Sequence, residues 1–282
     1  MIEVTNLSKQ YGKANKIALD KASFTINDGE MVGLIGENGA GKSTLMKTMC
    51  KFLRPTSGQV KIFGTDIFTV DNALNEVGIL LEPVFYSQLS AYENIKYYLN
   101  VHNKSEYIKD INDHLDMVGL SKHKNENPKE FSFGMRQRLG LAMALVGRPK
   151  ILILDEPFVG LDPNGIDDLI KILKKRVSDD NMSALISSHQ LYELSSLCER
   201  TIVINQGRIV FDGVASLAKT ITFELDRIIV DDLEGEVIEN TISTEKTGQE
   251  LDDLIGEIRE KYQIINVTSN KCALERFFKE GK

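Results

Sequence analysis

Gly36-Glu37-Asn38-Gly39-Ala40-Gly41-Lys42-Ser43-Thr44 is the stretch that decides the fold of this 282-residue chain. It matches G-x-x-x-x-G-K-[ST] and lies between an apolar run, Met31–Ile35, that reads as a strand and a segment that reads as a helix. Leu45, Met46, Met49, Phe52 and Leu53 fall on one face of a 3.6-residue period, which predicts that helix over Ser43–Leu53. Glycines let a backbone curl until its N–H groups converge on phosphate oxygens. The start of the following helix adds a favourable dipole. In such a loop Lys42 supplies a cation to the β- and γ-phosphates, and the Ser43 hydroxyl is a ligand for Mg²⁺. An ordinary glycine-rich turn would not need a strand before it and a helix after it.

Working outward, Ile151-Leu152-Ile153-Leu154 reads as a buried strand, and it ends in Asp155-Glu156-Pro157. Two adjacent carboxylates at a strand tip repel each other unless a metal or a reaction needs them. Asp155 is placed to hold Mg²⁺ through water, and Glu156 to polarise an attacking water. Further strands are predicted at residues 2–5, 22–26, 60–63, 184–186 and 202–204, with a mostly helical stretch from Ala91 to Val146. The alternation implies an α/β fold: a phosphate-loop NTPase core with a mainly parallel sheet, plus a helical lobe over about 85–146.

Past Gly213 the pattern changes. Phe223–Val230, Val237–Ile242 and Ile264–Val267 read as strands, and Cys272–Phe278 as a short helix. Gln249–Tyr262 reads as an amphipathic helix with Leu251, Leu254, Ile255, Ile258 and Tyr262 on one stripe. The expected organisation is therefore a nucleotide-binding domain over 1–213 and a small α+β accessory domain over 214–282.

Composition narrows the class. Apolar residues make up 42% of the chain, enough for one large or two unequal cores. No run approaches the roughly 18–20 apolar residues of a membrane-spanning helix, and Met1–Gly12 lacks the basic start and apolar middle of a secretory signal. Cys50, Cys198 and Cys272 have no paired spacing and read as buried thiols in a reducing compartment. The net charge is −7, and Glu224–Glu260 holds thirteen acidic residues against Arg227, Lys246 and Arg259. That segment reads as a solvated face, and an acidic chain without a basic stripe is not expected to bind nucleic acid.

Three more segments carry a family resemblance over about residues 1–213. Phe131-Ser132-Phe133-Gly134-Met135-Arg136-Gln137-Arg138 resembles the signature motif of ATP-binding cassette (ABC) proteins, usually L-S-G-G-Q followed by a basic, helical stretch. Gly160-Leu161-Asp162-Pro163 resembles their D-loop, and Ser187-Ser188-His189 their switch-histidine loop. The resemblance implies an ATPase that takes ATP and Mg²⁺. It also implies that two such domains close head to tail, each ATP lying between one subunit's phosphate loop and the other's signature helix. Tyr11 matches the aromatic that stacks on adenine. Ser132 and Gly134 match the groups that hold the γ-phosphate of the partner's ATP. His189 matches the residue that contacts the γ-phosphate, and Asp162 the one that crosses the interface. His102, His114 and His123 are expected to be structural or exposed.

The departures are informative. Phe133 stands where the signature usually carries glycine, and Met135 where glutamine is common. Val77–Pro83 aligns with the loop that usually presents glutamine, and here the residue is Glu82, which can still ligate Mg²⁺ or its water with one more negative charge. Glu82–Asn94, the F-S-x-G-M signature and Asp162-Pro163-Asn164-Gly165-Ile166 look like the branch that includes ATPase subunits of bacterial transporters for bacitracin, lantibiotics and related peptides. Cys272–Phe278 resembles the closing helix of such subunits. The resemblance implies a second ATPase subunit, identical or a close homologue, an integral membrane permease, and a place on the cytoplasmic face of the membrane. The alternatives are a cassette ATPase for another cargo, an importer or lipid-type one, or a soluble cassette ATPase outside transport. The soluble kind usually carries two cassettes or a long coiled-coil insertion, which this sequence lacks. A module that holds nucleotide without hydrolysis would be expected to lack Glu156 or His189.

Overall fold

Alternating apolar residues at the start of the chain build a long antiparallel hairpin of β1 (Ile2–Tyr11) and β2 (Lys16–Ile26), longer than the two short strands expected. The computed structural model describes residues 1–12, 16–189, 191–214, 221–229, 233–246 and 248–269. The chain divides into two compact units, Met1–Val214 and Ala215–Lys279.

In the first unit β3 (Met31–Ile35) leads through the phosphate loop into α1 (Lys42–Met49). This helix is shorter than the predicted Ser43–Leu53. Lys51 turns left-handed at φ 61°, and the Lys47 carbonyl accepts the Phe52 N–H at 2.9 Å while the Thr48 carbonyl accepts that of Lys51 at 3.1 Å. Those bonds are a Schellman stop. They leave Phe52, expected on the apolar face, 64% exposed. β4 (Ser57–Ile62) and β5 (Thr65–Asp66) follow, joined by Phe63-Gly64 with both φ positive, the geometry a two-residue hairpin favours. That turn ends β4 one residue before the expected Phe63.

β6 (Val77–Leu80) then precedes the helical lobe of α2 (Ala91–Val101), α3 (Ile111–Met117) and α4 (Phe133–Val146), with short 3₁₀ turns at Ser105–Asp110 and Ser121–His123. Ser90 and Glu93 form a capping box at the start of α2. The remaining elements are β7 (Ile151–Asp155), α5 (Pro163–Asp180), β8 (Ser183–Ser187), α6 (Leu191–Leu197), β9 (Arg200–Asn205) and β10 (Arg208–Val214).

Two sheets result. One is antiparallel, in the order β2-β1-β4-β5. The other runs β10-β9-β3-β8-β7-β6, parallel throughout except for the β10 edge. β7 and β8 are buried along nearly their whole length, which is why they read as unbroken apolar runs rather than alternating ones. Strand register matters most for function. Leu34 lies beside Ser187, and Ser187 beside Asp155, so the ends of β3, β8 and β7 open side by side at one rim of the sheet. In open α/β sheets the crevice beyond the carboxyl ends of the strands is where ligands bind.

The second unit is a sheet of β11 (Ile221–Leu225), β12 (Glu236–Ile238), β13 (Thr241–Thr244) and β14 (Ile264–Ser269), all antiparallel in the order β12-β13-β11-β14. Helix α7 (Gly248–Lys261) contributes Leu254 and Ile258 to a core with Phe223, Leu225, Ile242 and Tyr262. The single strand expected over Val237–Ile242 is instead the two arms of a hairpin, reversed at left-handed Glu239, with Val237 paired to Ile242. The strand expected over Phe223–Val230 ends at Leu225, and Val230 lies outside the described residues. So do Cys272 and the helix expected over Cys272–Phe278. Cys50 and Cys198 are free and buried; burial pushes the Cys198 thiol up to about 12 and that of Cys50 well above the usual thiol range. His102 and His114 are depressed below the usual histidine value, chiefly by burial, and His123 sits at the surface against Glu126.

Candidate active site

The phosphate loop leaves β3 and closes on the start of α1. Gly41 caps the helix at φ 116°, and a Cβ there would lie 2.7 Å from the Ala18 carbonyl oxygen, so glycine is required on both counts. Lys42 is buried at 8% exposure, and its Nζ donates to the carbonyls of Gly36 at 2.6 Å and Glu37 at 3.4 Å. The ammonium is thus folded into the curl of the loop and solvated by carbonyl dipoles, with no carboxylate paired to it among the described residues, which leaves its charge available to an anion.

A pocket of about 470 Å³ opens here. It is lined by Tyr11, Ile17 and Ala18 of the first hairpin and by Glu37, Asn38, Gly39, Gly41, Lys42, Ser43 and Thr44 of the phosphate loop. Ala40, within the loop, is buried. Tyr11 is exposed, with Lys9 Nζ 5.4 Å from its ring centroid. A larger and more apolar cavity, about 750 Å³, lies by β6, α2 and α4 with Glu82 at its edge. The smaller pocket is the one that carries a buried cation and the glycine loop, and it is the one suited to phosphate.

Beside it the three strand ends join into one network. Ser43 Oγ lies 3.3 Å from Asp155 Oδ2, and Ser187 Oγ donates to Asp155 Oδ1. The Glu156 N–H donates both to Ser187 Oγ at 3.0 Å and to the Ser187 carbonyl at 3.1 Å. His189 Nδ1 lies 2.8 Å from Glu156 Oε2, and the His189 N–H is 3.3 Å from the same oxygen. Glu156 itself is left-handed at φ 49°, a conformation that costs a non-glycine residue about 1–2 kcal/mol and survives only where its surroundings hold it.

Ser43, Asp155, Glu156 and His189 are thus brought together as the sequence suggested. Ser187 is the member that sequence reading left without a role. Its signal was present: a hydroxyl closing an apolar, fully buried strand must find a partner. Gln137, whose Nε2 donates to the Glu156 carbonyl at 3.2 Å, was missed for want of any local pattern.

The signature side is built differently. Ser132 is the N-cap of α4, its Oγ accepting from the Met135 N–H at 3.3 Å. A Cβ on Gly134 would stand 2.2 Å from the Gly160 carbonyl oxygen, so only glycine permits α4 to lie against that loop. Asp162 caps α5 through the Gly165 N–H at 3.0 Å. Ser132, Gly134 and Asp162 are not among the walls of the phosphate pocket.

Glu82 stands apart from the acidic pair. Its side chain is 78% exposed and pairs with Lys47 of α1 at 2.8 Å. That bond, followed by burial acting against it and by the charge of Glu82, leaves the Lys47 ammonium above its ordinary value. Among the described residues no three His, Cys, Asp or Glu side chains gather into a self-sufficient metal site. What the site offers is a hydroxyl and a carboxylate oxygen, Ser43 and Asp155, at adjoining positions. That donor set fits Mg²⁺, a hard cation usually held by one or two carboxylates with the remaining ligands from phosphate and water.

Fold and site together define a phosphate-loop ATPase. Residues 19–159 match the family described as ABC transporter. The bacitracin transport ATP-binding protein BcrA of Enterococcus faecalis is 38% identical over 215 residues, covering 74% of this chain and 68% of that protein. The lantibiotic transport ATP-binding protein SrtF of Streptococcus pyogenes is 40% identical over 222 residues, covering 77% and 94%. Among solved structures, a dimeric bacterial ABC transporter cassette superposes with a TM-score of 0.70 at 26% identity, covering 76% of this chain and 98% of that one. The chain belongs to the ABC transporter family, as an ATP-binding and ATP-hydrolysing subunit.

Proposed function

We propose that this chain is the motor of a bacterial exporter of, or immunity transporter for, an antimicrobial peptide or drug. In this reading two cassettes, identical or closely homologous, close head to tail and drive an integral membrane permease from the cytoplasmic face. The observation that carries the motor reading is the continuous hydrogen-bonded chain from Ser43 through Asp155 and Ser187 to Glu156 and His189. The cargo reading draws its support from the bacitracin and lantibiotic relatives.

Each residue then has a task. Tyr11, which lines the pocket, takes the adenine. The 36–44 loop and Lys42 take the phosphates. Ser43 and Asp155 would hold Mg²⁺, Asp155 through water, and Glu82 would turn to the ion or its water; the ion would supply charge neutralisation at the β- and γ-phosphates. Glu156 polarises the attacking water, and His189, bonded to its carboxylate, orients it and contacts the γ-phosphate. Ser132, Gly134 and Asp162 lie outside the pocket of their own chain. They serve the nucleotide of the second cassette, Ser132 and Gly134 from a helix N-terminus that favours anions.

The test is Glu156→Gln. Turnover is expected to fall by about 10²–10⁴-fold, the usual worth of a positioned base, while ATP is still bound and a dimer accumulates in its presence. Wild-type hydrolysis would remove Glu156 from this role.

A further inference from the structure

We propose that Gln137 is a positioning residue for ATP hydrolysis, its buried amide holding the main chain at Glu156; the inference rests on the role of Glu156 given above. Gln137 lies near the start of α4, five residues after Ser132, and is only 6% exposed. Its Nε2 donates to the Glu156 carbonyl at 3.2 Å. Only the NH₂ end of an amide can donate to a carbonyl, so the bond itself sets the orientation of the group. A buried amide destabilises a helix face unless it is hydrogen-bonded. The Glu156 carbonyl is what justifies glutamine at a position whose neighbours Leu139 and Leu141 are core.

The point that is gripped is the one that needs holding. Glu156 sits at φ 49°, where a side chain is strained. Its N–H is fixed by Ser187, and its carbonyl receives the Val159 N–H at 3.2 Å as well as Gln137. With the peptide units on both sides held, the Cα–Cβ direction of Glu156 is set, and its carboxylate meets His189.

A second contact ties the same helix to the same loop. Gly134 lies against the Gly160 carbonyl, and a Cβ on Gly160 would be 2.8 Å from the Phe133 ring. The start of α4 and the turn from Glu156 to Gly160 therefore move as one piece. A displacement of the start of α4 would reach Glu156 through the Gln137 bond without crossing the phosphate loop.

The experiment uses the full chain with two substitutions. Gln137→Met removes the donor at nearly constant length. Gln137→Glu places a carboxyl there, which cannot donate when ionised and can when protonated; burial raises its pKa toward neutrality. Both variants are expected to lose about tenfold in kcat at pH 8, while KM and ATP affinity stay within about twofold. Lowering the pH to about 6 should restore Gln137→Glu relative to Gln137→Met, a recovery that loss of packing alone would not produce. A Gln137→Met enzyme within about twofold of wild-type kcat, or a Gln137→Glu profile parallel to that of Gln137→Met, overturns the proposal. Should Gln137→Met not fold, the pH profile of Gln137→Glu against wild type decides. Glu156→Gln is assayed alongside. If it still turns over, the reading of Glu156 fails; if it is dead while Gln137→Met is normal, only the present inference fails.

Discussion

The phosphate-loop side of the cassette and its signature side use similar residues and finish them differently. On the first, side chains of the site meet one another in the same chain: Ser43 and Ser187 meet Asp155, and His189 meets Glu156. On the second, the same kinds of side chain are spent on scaffolding. Ser132 and Asp162 cap their own helices, and Gly134 is pressed on the Gly160 carbonyl. In the function proposed above, the first side takes the nucleotide of its own chain, and the second presents a helix edge to the nucleotide of the other cassette. Substitutions on the two sides should therefore separate nucleotide binding from turnover.

The largest effect is expected from Lys42→Ala. The ammonium is buried in the loop and held by carbonyls, and it is the one cation of the Gly36–Thr44 stretch. Hydrogen bonds to charged groups contribute about 1.5–3 kcal/mol, so ATP affinity should fall by roughly ten- to a hundredfold. Titration of a fluorescent ATP analogue reads this directly. Unchanged affinity would place the nucleotide elsewhere and dissolve the contrast between the two sides.

Gly134→Ala probes the other side. A Cβ at 2.2 Å from a backbone oxygen forces α4 away from the 160 loop. Overpacking of this kind costs about 1–3 kcal/mol, a fall of some 2–10 °C in Tm for a domain of this size. ATP affinity of the isolated subunit should stay within about twofold while turnover drops about tenfold. If affinity falls as far as in Lys42→Ala, the two sides are one site and the division drawn here is mistaken.

The two sides were not equally legible in the sequence. The phosphate loop and the Asp155-Glu156 pair could be read from residue type and spacing, because apolar runs before and after them fixed the strand and helix that position them. What could not be read was produced by long-range closure. Ser187 and Asp155 are 32 residues apart and meet only through the register of β7 on β8. Gln137 looks like any polar residue on a basic helical stretch until α4 is packed under Glu156. Failures of local reading had local causes. Left-handed Lys51 stopped α1 short, and left-handed Glu239 folded one expected strand into a hairpin, in each case at a residue that rarely adopts positive φ. In the second unit the stripe of Leu254, Ile258 and Tyr262 was legible because one face of α7 is buried and the other is not.

The smallest effect is expected at Glu82, which belongs fully to neither side. It is exposed and held by Lys47, which also feels the charge of Asp155. An exposed pair of this kind contributes about 0–1 kcal/mol, so Glu82→Gln should leave the melting temperature nearly unchanged near neutral pH. The sign of its pH dependence is fixed by the raised Lys47 value: the pair's contribution is present below the ordinary lysine value and is lost as the pH rises through the raised one. Whatever small difference the pair makes between wild type and Glu82→Gln should therefore vanish in strongly alkaline buffer. The informative readout is magnesium. An amide oxygen can still ligate the ion or its water but brings no charge. Glu82→Gln should then keep substantial ATPase activity and need more Mg²⁺ for half-saturation, whereas Glu82→Ala should lose more of both. If Gln and Ala variants both titrate with Mg²⁺ as wild type does, Glu82 serves Lys47 alone, and the metal site consists of Ser43, Asp155 and the nucleotide, wholly on the phosphate-loop side.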